Sequence, residues 1–177
     1  MHLNYSKQRV LLHWLSAAVI LWALASGFYV AYGPVSDSVE HWVGSINVSL
    51  TTLFIPLFAW RFCLFACEFD AHEAKSSWAK ALALLVHLMI YLTIAAVLVT
   101  GVLMMKKTIS VFGLVHIPQP LQDPSLIEWA TMGHIQSCAV LSLLVALHLC
   151  AVAWHEFSGR RVLQRMSFAR PAGEMNR

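Results

Sequence analysis

Long apolar runs separated by short polar stretches dominate the chain. Four of them, at residues 11–32, 42–67, 79–105 and 129–157, each exceed the roughly 20 residues that an α-helix needs to cross a hydrocarbon core. The pattern predicts an all-α membrane protein, a four-helix transmembrane bundle forming one domain over residues 1–177. The first run opens with His13 and Trp14 and is followed by Tyr32, Gly33 and Pro34 without an Ala-x-Ala-type site, so it reads as a retained helix rather than a cleaved signal peptide. Pro118, Pro120 and Pro124 predict an irregular loop between the third and fourth spans.

Composition agrees with the pattern. Hydrophobic residues make up 59% and charged residues 12%, and the mean hydropathy is +0.66, whereas a soluble domain carries about 25% charge. Lys7 and Arg9 precede the first span, and Arg160, Arg161, Arg165 and Arg170 follow the fourth. The positive-inside rule therefore predicts that both termini are cytoplasmic. Lys106 and Lys107, at the outer end of the third span, run against that bias and could attract an anionic substrate or haem propionates. The arginines of the tail fix topology and contact anionic lipid, and nothing in the chain points to nucleic acid. Trp14, Trp42, Trp78, Trp129 and Trp154 fall near span ends, where an aromatic belt is expected.

Chemistry enters with the histidines. His134 and His148 lie fourteen residues apart in the fourth span, within about 40° of each other around the helix and about 21 Å apart along it, and His155 continues the face. Ionisable residues inside a membrane helix are costly and face the bundle interior. By depth, His13, His87 and His148 can reach one inner site. His134, His41 and His116 belong to the outer side, His155 to the inner water interface, and His2 and His72 to solvent. Two imidazoles from different helices fill both axial positions of a haem iron. A four-ligand zinc site lacks converging ligands, and a carboxylate-bridged di-iron site lacks acidic residues within the spans.

Cys63, Cys67, Cys138 and Cys150 read as small buried apolar residues, and without a Cys-x-x-Cys-His motif any haem is held by coordination and packing. Met104 and Met105 read as packing rather than as thioether ligands.

These residues together resemble the bacterial cytochrome b561 family, four-helix di-haem proteins of the inner membrane. The resemblance rests on His13-Trp14, on Asn47 to Arg61, on His87 with Ile90-Tyr91, and on Gly101 through Met105. It continues through Phe112-Gly113-Leu114, His134, His148 and His155, and the basic segment Arg161-Val162-Leu163-Gln164-Arg165-Met166. It implies one or two haem b groups, with His13 and His148 as ligands of the inner haem iron and His134 as a ligand of the outer one. Arg61 falls at the family's arginine, where it either pairs with a propionate or caps the second span.

Counting back from Arg61, the family's second outer histidine falls on Asn47, a poor axial ligand. His41 or His116 would have to replace it, although His41 lies about 9 Å along the helix and about 120° around from Asn47. A chain with the inner haem alone, or with a five-coordinate outer haem on His134, satisfies the sequence as well.

The resemblance further implies electron transfer between membrane quinone and a second donor or acceptor, with superoxide:quinone oxidoreductase activity known in the family. His87 and His155 would line the quinone pocket. The alternative is a cytochrome b anchor subunit that receives electrons from a separate dehydrogenase as its redox partner protein. A histidine relay for transport is disfavoured by the scarcity of carboxylates within the spans.

Overall fold

The computed structural model describes residues 7–67, 77–160 and 162–165. His2, His72, the rest of the connection at 68–76, Arg161 and the tail from Met166, with Arg170, lie outside them. Four long helices run antiparallel in chain order: α1 (Lys7–Tyr32), α2 (Asp37–Cys67), α3 (Trp78–Leu103) and α4 (Pro124–Phe157). All four are long and apolar enough to cross a membrane. A short α5 (Val162–Arg165) follows α4. The bundle end that carries the start of α1 and the end of α4 is termed the inner end below.

Three helices begin four or five residues before their apolar runs, and in α2 and α4 acidic or capping residues set the first turn. α2 starts at Asp37 with Glu40 also in its first turn, where negative charge opposes the helix dipole. α4 starts at Pro124, a residue suited to the first helical position, and Asp123 caps it by accepting from the Ser125 backbone N–H at 2.8 Å and its hydroxyl at 2.7 Å. At 34 residues α4 is about 51 Å long and must extend beyond the bilayer core. It ends at the left-handed Gly159 (φ 78°), whose N–H bonds to the Glu156 carbonyl at 3.0 Å.

The segment after α3 is not irregular as its prolines suggested. β1 (Ile109–Val111) and β2 (Val115–Ile117) pair antiparallel with Ile109 opposite Ile117 and Val111 opposite Val115. Phe112 (φ 49°) and Gly113 (φ 73°) turn the chain, closed by Leu114 N–H to the Val111 carbonyl at 3.0 Å. The hairpin packs onto α2 at the outer end. Ile109 and Val111 are buried there, and the fully buried Ser49 accepts from the Phe112 N–H at 3.0 Å while donating to the Ser110 carbonyl at 3.3 Å.

Close backbone packing runs α1 on α2, α2 on α3, and most extensively α3 on α4. The core sits at mid-depth, built from Phe54, Phe58, Tyr91, Ile94, Leu98 and Leu141, with Val19, Ile20 and Leu24 of α1 against it. Trp14, Trp42, Trp78, Trp129 and Trp154 are all exposed on the perimeter. So are Cys63, Cys67 and Cys150, with only Cys138 partly buried. The cysteines are therefore not the buried set expected, since in lipid a small apolar side chain can face outward without cost.

Candidate functional site

Each helix delivers one polar side chain to the inner half of the bundle. α1 supplies His13, α2 Arg61, α3 His87 and α4 His148, which meet as two contacting pairs. Arg61 Nη2 donates to His13 Nδ1 at 2.9 Å, and its guanidinium lies 5.3 Å from the Tyr91 ring centre. A guanidinium only donates, so His13 Nδ1 carries the lone pair in this arrangement. The His87 and His148 rings meet edge-to-face with centroids 5.3 Å apart. His87 Nδ1 pairs with the Ala83 carbonyl at 2.6 Å, which requires the proton on Nδ1 and leaves Nε2 with a lone pair. His87 is itself exposed at the bundle perimeter.

His155 lies two turns inward of His148, about 10.5 Å along α4. Its Nδ1 is the buried side-chain polar atom that has no hydrogen-bond partner among the described residues.

The outer half is arranged differently. A cavity of about 480 Å³ opens between the four helices, with His134, Asn47, Gly27, Gly44 and Gly101 in its wall. A side chain at Gly27 or Gly44 would meet nothing within 4 Å, whereas a Cβ at Gly101 would come within 3.2 Å of His134 Cε1. The glycines thus leave volume on the α1 and α2 side and let the imidazole lie flat against α3.

His134 Nδ1 donates to the Val97 carbonyl at 3.1 Å, with Thr100 Oγ1 at 3.3 Å, so its Nε2 carries the lone pair and accepts from the Cys138 thiol. Cys138, one turn along, places Sγ 3.5 Å from that nitrogen. Neither His41 nor His116 lines the cavity, and both are exposed, at the start of α2 and on β2. The second outer ligand expected from one or other of them is therefore not brought to His134. The helical phase of α2 turns His41 outward, and the hairpin carries His116 on its open face.

Both ends suit a haem b by their donors. The inner end offers imidazoles from three helices beside a guanidinium able to meet a carboxylate, and the outer end offers volume and one imidazole fixed by a backbone carbonyl. Sequence reasoning located the histidines and Arg61. It missed Ser26, Val97 and the glycine cradle, although Gly27, Gly44 and Gly101 sit at His134's depth in three apolar runs. Such glycines are the signal that could have disclosed the cavity.

No curated protein matches the chain. The family model of prokaryotic cytochrome b561 matches residues 4–169, nearly the whole length. With four membrane-spanning helices and imidazoles at two depths behind that match, the chain belongs to the prokaryotic cytochrome b561 family.

Proposed function

We propose that this chain carries electrons through haem b between membrane quinone and a second donor or acceptor, superoxide being one candidate, in the bacterial inner membrane with both termini cytoplasmic. The observation that carries the reading is the meeting of His13, Arg61, His87 and His148, from four different helices, at one depth. His13 and His148 would hold the inner haem. That group would supply reversible one-electron chemistry.

The surrounding residues then have distinct tasks. His13 would hold the haem through Nε2 only with the proton moved to Nδ1, which would free the Arg61 guanidinium for a propionate. Tyr91, stacked on Phe65 at 4.6 Å and under Arg61, holds the guanidinium near that position. Quinone exchanges protons as well as electrons. His87, pinned through Nδ1 to the Ala83 carbonyl and exposed toward lipid, moves a proton at Nε2. His155, with its uncommitted Nδ1, takes the second quinone contact nearer the interface.

The test is haem content and quinone reductase activity of the purified chain with a small-molecule donor. Wild type binds low-spin haem b and reduces quinone alone, and His148→Ala loses the inner haem with the activity. Full haem content in His148→Ala removes the ligand assignment, and activity that needs a co-purifying soluble subunit makes the chain an anchor.

A further inference from the structure

We propose, building on the haem reading above, that the outer cavity holds a haem fixed by His134 alone, whose opposite face stays open to a diatomic ligand beside Asn47. The side chains in the cavity wall that bind iron are His134, Cys138, Met104 and Met105, together with Tyr32 of α1, which is 79% exposed and stacked on Phe28. His134 and Cys138 come from α4, and Met104 and Met105 from the stretch directly after α3. Cys138 sits one turn from His134 with Sγ 3.5 Å from Nε2, on the same side of any plane that this nitrogen would ligate. A Cβ at Gly101 would come within 3.2 Å of the His134 ring, so the outer end of α3 passes close beside that imidazole, with Met104 and Met105 just beyond the helix end. Among the described residues, His134 is the one imidazole in the wall.

The facing wall, from α1 and α2, offers Gly27, Gly44, Phe28, Val48 and Asn47. Its hydroxyls are already committed. Thr51 donates to the Asn47 carbonyl and Thr52 to the Val48 carbonyl, each at 2.7 Å. Ser26 donates to the Trp22 carbonyl at 2.7 Å and reaches Asn47 Oδ1 at 3.1 Å. The single Ser26 proton is shared between the Trp22 carbonyl and Asn47 Oδ1, and with its oxygen turned to Ser26 the Asn47 amide leaves its N–H₂ for a cavity ligand. An apolar pocket with one fixed imidazole and one amide donor across from it has the parts of a site for a small diatomic molecule, because donors and access on the open side decide whether such ligands bind.

The experiment uses the full-length chain purified in detergent, with carbon monoxide as the probe. Haem is counted by pyridine haemochrome, spin state is read by electron paramagnetic resonance, and the reduced protein is exposed to carbon monoxide. The proposal expects about two haems per chain, one low-spin and inert and one high-spin that binds carbon monoxide. His134→Ala halves the haem content and abolishes the adduct, leaving the low-spin haem as proof of folding. Asn47→His converts the second haem to low-spin and blocks carbon monoxide, and Asn47→Leu keeps the adduct but raises its C–O stretching frequency.

Two low-spin haems without an adduct overturn the open site, as does a single low-spin haem, and in both cases the electron-transfer reading survives. A chain that binds no haem overturns that reading itself.

Discussion

His13 and His134 illustrate how much depends on which imidazole nitrogen is committed. His134 is set for ligation because a backbone carbonyl fixes its proton on Nδ1, whereas His13 has its Nδ1 lone pair taken by Arg61. In the proposed reading Arg61 would have two partners in turn, the free imidazole and, with His13 on the haem, an anionic propionate. Its charge beside the inner haem favours the reduced form, so Arg61→Ala lowers that midpoint potential, by roughly 60 mV for a tenfold change in a one-electron equilibrium. Redox potentiometry of the variant checks this, and an unchanged midpoint would place Arg61 away from the haem. The residue types and depths of His13, His87, His134 and His148 were legible from spacing alone. Their protonation was not, since it is set by Val97, Ala83 and Arg61, partners that only the packing selects.

At the scale of elements, the spans were legible and the caps and hairpin were not. Hydropathy marks the part of a helix that lies in lipid, so Asp37, Asp123 and Pro124 fell outside the apolar runs although they begin the helices. Three-residue strands are too short for alternation to register, and neighbouring prolines masked the turn at Phe112-Gly113. Ser49 ties that hairpin to α2 from a fully buried position. Ser49→Ala strands the Phe112 N–H and costs about 1–3 kcal/mol, read as a lower unfolding midpoint with faster proteolysis at 112–114. Equal midpoints would mean the hairpin is held by Ile109 and Val111 instead.

The Asp123 cap adds a pH dependence. The Ser125 hydroxyl and then its backbone N–H hold the Asp123 carboxyl below the usual carboxylate range. A depressed folded value stabilises the fold above the ordinary carboxylate pKa, and the gain is lost as pH falls through the depressed one. The Tm of wild type should accordingly converge on that of Asp123→Ala as the solution is acidified, and a constant gap would contradict the cap.

For the whole molecule, the fold separates two environments along one bundle. The mid-depth core of Phe54, Phe58, Tyr91, Ile94, Leu98 and Leu141 divides an outer cavity with one imidazole from an inner cluster with three and an arginine. The sequence places both sets by depth but cannot show the cavity, whose volume arises where α1 and α2 face α3 and α4 across glycines. Electron exchange with quinone at the inner end is the central claim. Its most direct test is to reduce the purified chain with dithionite under argon, add a soluble quinone and follow the low-spin haem absorbance. The account predicts reoxidation in proportion to quinone added, lost in His148→Ala together with the inner haem. A chain that carries no haem, or whose low-spin haem stays reduced in excess quinone, would contradict it.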